Sequence, residues 1–189
     1  FERWNHRVLD HPKLEVVLND GRNFLATTTE RFDVISADPI HPWSGGAGYL
    51  YTVEYFRTVA SRLDRGGVAS QWLPIYELTP RDLATVVRSF AAAFDHVLVW
   101  LTYYDAVLVG SAEPLVLDEA ALSRRLERPE IRQDLASVHM GTERELLDHF
   151  LMGTEGAHRF GAAGVLNTDD NLWLEFSAPA SQGDGSLTG

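Results

Sequence analysis

Phe32-Asp33-Val34-Ile35-Ser36-Ala37-Asp38-Pro39 decides how the rest of the chain is read. A mostly apolar run ends on an acid and a proline, which is the pattern of a strand closing into a loop. Upstream, Leu14-Glu15-Val16-Val17-Leu18 is a second short β-rich run, closed by the turn residues Asn19-Asp20-Gly21. Downstream, Val68 to Leu73 is a third. Helical signals lie between them. Gly21 to Thr28 has room for a turn or two, and Val53, Phe56, Val59, Ala60 and Leu63 repeat at helical spacing behind a Thr52 N-cap. Strand–helix–strand–helix–strand alternation with short turns predicts an α/β fold, its mostly parallel sheet covered by helices on both faces.

The C-terminal half adds different units. Thr79-Pro80 opens a helix with the apolar face Leu83, Val86, Val87, Phe90 and Ala91. Val97–Thr102 and Ala106–Val109 flank Tyr103-Tyr104-Asp105 and read as a terminal antiparallel hairpin. After Glu113-Pro114 come three helical patterns: one capped by Asp118, one started by Pro129, and one over Thr142–Met152. Leu172–Phe176 reads as a last short strand. The expected domains are an incomplete α/β domain over 1–112, a helical extension over 113–180 and a disordered tail over 181–189. Phe1–Leu9 reads as a helix end, and a chain opening there without Met reads as a fragment or a processed product.

With 189 residues, 45% hydrophobic and 11% aromatic, the chain can bury a core and is not wholly disordered. Zero Cys excludes a disulfide scaffold, a thiolate metal site and a Cys nucleophile. The 27 acidic against 16 basic side chains give a net charge of −11, which repels phosphate backbones and argues against nucleic-acid binding. The same sign is compatible with small cationic partners. No apolar run approaches the length of a membrane span.

Ligands of such sheets bind at the carboxyl ends of the strands, where Asn19-Asp20-Gly21, Asp38 and Ser70-Gln71 fall. A carboxylate at Asp20 can accept from an adenine amino group while Gly21 lets the base approach; the plain alternative is a turn. Asp38 can hold or deprotonate an amine, or else cap a helix. His41 offers a base, but the His spacing carries no metal signature and no metal is expected. Ser44-Gly45-Gly46-Ala47-Gly48 lacks the Lys-Ser/Thr of a phosphate loop and reads as a mobile lid, with Trp43, Tyr49 and Tyr51 as aromatic walls or as packing beneath it. Gln71 can orient a ligand or be a structural amide. Asn167-Thr168-Asp169-Asp170 pairs two carboxylates whose role the spacing leaves open.

Taken together, Asn19-Asp20-Gly21-Arg22, the 32–39 segment, Tyr49-Leu50-Tyr51-Thr52-Val53-Glu54-Tyr55-Phe56, Gly66-Gly67-Val68, Gln71-Trp72-Leu73-Pro74 and Asn167-Thr168-Asp169-Asp170 resemble the second half of the spermidine synthase-like (polyamine aminopropyltransferase) family. They look most like its bacterial branch, often fused to membrane-spanning segments. The resemblance implies a class I methyltransferase-like, Rossmann-like fold lacking its first two strands. It also implies decarboxylated S-adenosylmethionine as donor substrate, no tightly bound cofactor, and a polyamine such as putrescine as acceptor. Asn19, Asp20 and Gly21 would then bind the donor, Asp38 and His41 would stand at the reacting amine, and Tyr49, Tyr51 and Gln71 would line the acceptor pocket. His41 departs from the family pattern, which has a second Asp there, so one anionic anchor is missing. Implied partners are the N-terminal remainder of a longer, membrane-fused parent and a second copy in a homodimer. The implied location is cytoplasmic, as the soluble domain of an inner-membrane protein. The fragment alone is expected to be inactive. Two rivals keep the same residues: an S-adenosylmethionine-dependent methyltransferase, and a non-catalytic ligand-binding or regulatory domain.

Overall fold

The computed structural model describes Asn5, residues 7–38 and residues 41–180. Most of the expected helix end over 1–9, the residue Pro39 and the expected tail over 181–189 lie outside the described residues.

Thr52 accepts from Tyr55 N and starts α2 (Val53–Arg62), which buries Val53, Tyr55, Phe56 and Val59. Thr79 does the same for α3 (Pro80–Ala91), with Pro80 in its first turn. Before them stand α1 (Gly21–Thr27) and β1 (Phe32–Ala37), and between them β2 (Leu63–Pro74). β3 (His96–Leu101) and β4 (Asp105–Ser111) form the expected hairpin. Beyond it lie α4 (Glu119–Leu126), α5 (Pro129–Ala136), α6 (Glu143–Leu147), β5 (Phe150–Met152), α7 (Thr154–Gly161) and α8 (Trp173–Ala180).

The sheet order is β1-β2-β4-β3-β5, an α/β Rossmann-like arrangement. The expectation of a mostly parallel sheet is corrected to a mixed one: β1–β2 is the parallel pair, while β2–β4, β4–β3 and β3–β5 are antiparallel. The α3 crossover does bring β3 back in the direction of β2, but the tight hairpin folds β4 into the gap between them.

Covering is uneven, which corrects the expectation of helices spread over both faces alike. Ala69, Gln71 and Leu73 of β2, Ala106 and Leu108 of β4, and Val97 and Val99 of β3 are buried, and the core they join also holds side chains of α2, α3, α7 and α8. The alternate residues Trp72, Val107 and Val109 are half-buried, and Val34 is exposed. Residues of α4 and α6 reach this second face near Trp100, around a shared cavity.

Three element expectations are corrected. The run Leu14–Leu18 forms no strand, and Val16, Val17 and Leu18 are exposed. A strand needs a neighbour for its N–H and C=O groups, and no described segment lies alongside it. Leu172–Phe176 is mostly helical, because Leu174 and Ala178, four apart, both enter the core from α8. The helix expected over 142–152 ends at Leu147, and Phe150–Met152 pairs with the edge of β3. α7 had no apolar periodicity to announce it. It packs on α3 through small residues: a Cβ on Gly161 would meet the Arg88 backbone at 3.0 Å.

Candidate active site

Parallel pairing sets the first element of the site. Ala37 lies opposite Gln71, so Asp38 leaves β1 level with Trp72 at the carboxyl ends of both strands. Asp38 is exposed. Gln71 is 2% exposed, and its Nε2 donates to Trp72 O at 3.1 Å, so its side chain stays on the buried face rather than on an open rim.

Asp20 ends the preceding loop as the N-cap of α1 and accepts from Asn23 N at 2.8 Å. Its other oxygen takes no hydrogen bond among the described residues. Asn19 Oδ1 accepts from Asp20 N at 2.8 Å. A Cβ at Gly21 would meet nothing within 4 Å, so open space lies beside this cap.

Two buried tyrosines link the acids. Burial pushes the Tyr51 phenol far above its ordinary value, and the neighbouring Tyr55 and the Asp38 carboxylate push it the same way. Burial also raises Tyr55, with Arg22 opposing and Asp20 adding to the rise. Asp20, Tyr55, Tyr51 and Asp38 are thus electrostatic neighbours in series. Both phenols stay protonated at neutral pH and can act as donors.

His41 lies in an aromatic cluster. Its Nε2 is 2.8 Å from the Tyr76 hydroxyl, and its ring centroid is 4.8 Å from Trp43, 5.6 Å from Trp72 and 5.9 Å from Tyr76. Desolvation raises the Tyr76 phenol, and Asp105 and Glu77 add to the rise. The three expected aromatic walls therefore part company. Trp43 packs on His41 and Tyr76, Tyr51 is fully buried, and Tyr49 is exposed, with the Arg22 guanidinium 5.6 Å from its ring centroid.

The Gly-rich segment is tied down rather than loose, which corrects the mobile-lid expectation. Gly46 N and Gly48 N donate to the two carboxylate oxygens of Glu175 at 2.7 and 3.1 Å. Gly48 O accepts from the buried Asn167 side chain at 3.0 Å, and Tyr49 O from Arg22 at 2.7 Å. Arg22 also pairs with Asp169 at 2.5 Å and reaches Thr52 Oγ1 at 3.4 Å. Desolvation would raise the Asp169 carboxyl, but Arg22 and Thr52 outweigh it and hold the group below its ordinary value.

Sequence reasoning therefore missed Arg22, Thr52, Tyr55, Trp72, Tyr76 and Glu175. Arg22 directly follows Asp20-Gly21 and Trp72 follows Gln71, so adjacency was a usable signal for those two. Glu175 carried none.

Comparison with known proteins fits this geometry. Residues 2–104 match the spermine/spermidine synthase domain. The polyamine aminopropyltransferase of Aeropyrum pernix is 34% identical over 158 residues, covering 74% of this chain and 50% of that protein. Polyamine aminopropyltransferase 2 of Hyperthermus butylicus is 30% identical over 126 residues, covering 65% of this chain and 41% of that protein. Among solved structures, a probable spermidine synthase from Corynebacterium glutamicum superposes with a TM-score of 0.57 at 18% identity, covering 88% of this chain and 59% of that one, and is a likeness of fold. The match extends over more than half of the chain, which belongs to the spermine/spermidine synthase domain family. It spans about half the length of the curated relatives it matches. Among the described residues, no helix is long and apolar enough to cross a membrane.

Proposed function

We propose that this chain forms the C-terminal part of an aminopropyltransferase, acting within a longer parent on decarboxylated S-adenosylmethionine and a polyamine such as putrescine. The observation that carries the reading is the β1–β2 register, which sets Asp38 at the carboxyl ends of both strands, together with the Asp20 cap and the open space beside Gly21. Family membership and the names of the relatives support the reaction type.

In this reading Asn19, Asp20 and Gly21 meet the adenine of the donor. Asp38 holds the acceptor amine and takes its proton. The freed nitrogen lone pair forms a bond to the donor carbon beside the sulfonium. The carbon–sulfur pair returns to sulfur, and neutral methylthioadenosine leaves. Tyr51, kept neutral by burial, stands near Asp38 without adding a competing charge. His41, fixed by Tyr76, lines the acceptor side together with Trp72, whose ring face suits an ammonium. Tyr49, exposed beside Arg22, belongs to the outer wall of the same pocket, and Gln71 backs it from the buried face of β2. The remainder of the parent supplies the other part of the donor pocket and carries any membrane-spanning segments, and the isolated chain has no turnover.

The test uses the full-length parent with donor and diamine. Asp38→Asn is expected to lower kcat at least about 100-fold with donor affinity held within a few-fold. Unchanged turnover removes Asp38 from the mechanism. Release of S-adenosylhomocysteine instead of methylthioadenosine replaces this reading by methyl transfer, and tight binding without turnover replaces it by a binding domain.

A further inference from the structure

Gly46 N and Gly48 N are aimed at neighbouring points, as the amides of an anion-binding concavity are. What occupies them is a carboxylate from the far end of the chain. Glu175, half-buried on α8, places Oε1 at 2.7 Å from Gly46 N and Oε2 at 3.1 Å from Gly48 N. The fit demands glycine at both positions for different reasons. Gly46 has φ +83°, and a Cβ on Gly48 would sit 2.9 Å from Glu175 Oε2 and 3.0 Å from its Cβ and backbone N. Gly45, between Ser44 and Gly46, has neither constraint: a Cβ there would meet nothing within 4 Å.

The segment so held runs from one candidate site residue to another. Ser44 N donates to His41 O at 2.9 Å and Ala47 N to Ser44 O at 2.9 Å, and the following 3-10 turn, Ala47–Tyr51, ends on the buried Tyr51. Moving Gly46–Gly48 would therefore move His41 at one end and Tyr51 at the other. α8 itself is anchored independently of this contact, through Leu174 and Ala178 in the core and through Ser177 Oγ, which donates to Asp82 Oδ1 at 2.5 Å. The carboxylate thus acts from a fixed base on a segment that Tyr51 ties to the core at its far end.

We propose that Glu175 is a positioning residue: its carboxylate is a built-in anion that fills the Gly46/Gly48 cradle and sets the geometry of the His41–Tyr51 segment from α8. The clamp stands on these contacts alone. Its effect on turnover rests on the aminopropyl-transfer reading.

Amide hydrogen exchange in the 189-residue chain, with formate as a diffusible carboxylate, tests it. Glu175→Gly is expected to speed exchange at Gly46 and Gly48 at least about tenfold while the core amides of β4 keep their protection. Added formate is expected to restore the slow exchange, which a purely packing role for the side chain would not allow. Gly48→Ala, whose methyl crowds the carboxylate and the Glu175 backbone N, is expected to deprotect Gly46, whereas Gly45→Ala leaves it protected. Unchanged exchange in Glu175→Gly, no response to formate, or equal effects of Gly45→Ala and Gly48→Ala overturns the proposal. Should Glu175→Gly fail to fold, the Gly48→Ala and Gly45→Ala pair decides alone. In the full-length parent, Glu175→Gln is expected to raise KM for the diamine with little change in donor affinity. An intact clamp in a parent that transfers no aminopropyl group sinks the reaction assignment and leaves the clamp standing.

Discussion

Asp169 and Arg22 meet across 147 positions of sequence, and neither partner could be assigned from its local motif. The pair is part-exposed, so its worth is reduced by solvent. Its direction with pH is nevertheless fixed. A carboxyl held below its ordinary value contributes stability that is present above 3.8, the ordinary value, and is lost as pH falls through the lowered one. Asp169→Asn is therefore expected to melt earlier than the unmodified chain at neutral pH, with the gap closing in acid well below that value. Thermal melts across this range check it, and a gap that persists in strong acid places the effect elsewhere. Asp20 shows the same mixture of legible and hidden. Its position after Leu18 and before Gly21 was readable, but its use as an N-cap depended on where α1 begins.

Among the elements, α2 and α3 were readable because periodicity and caps agree: a Thr before each helix and an apolar stripe along it. The β3–β4 hairpin was readable from its turn. What escaped were short segments whose state depends on a neighbour, such as 14–18, β5 and α8. Packing of β4 against α3 rests on a glycine that no turn requires. A Cβ on Gly110 would approach the Phe94 ring to 2.5 Å and the Phe90 ring to 2.8 Å, and these rings already pack on each other with centroids 4.6 Å apart. Gly110→Ala is expected to cost about 1–3 kcal/mol in chemical denaturation, as overpacking of a filled core does. A neutral substitution would mean that the two rings can move aside.

At the scale of the whole molecule, Asn167 joins regions that sequence keeps far apart. It is fully buried. Its backbone N donates to Ser89 Oγ at 2.9 Å and its O accepts from Val53 N at 2.9 Å. Its side chain donates to Gly48 O at 3.0 Å and accepts from Leu174 N at 3.2 Å. Asn167→Ala strands the last two groups without partners, at about 1–3 kcal/mol each. The expected result is a lower midpoint for one cooperative transition seen alike by far-UV CD and Trp fluorescence. Two separated transitions would instead mean that the C-terminal segment folds independently of α2 and α3.

The sequence by itself determined the α/β character, the spans of α2, α3 and the hairpin, and the positions of Asp20 and Asp38 beside turns, because backbone sterics, caps and side-chain periodicity act over a few residues. Only the folded chain settles the insertion of β4 between β2 and β3, the sparser cover of the second face of the sheet, and the contacts of Glu175 with Gly46 and Gly48. Those depend on which distant segments meet once the core closes. A carboxylate on the last helix has no local pattern to betray it, since its partners are backbone amides that every residue except proline possesses.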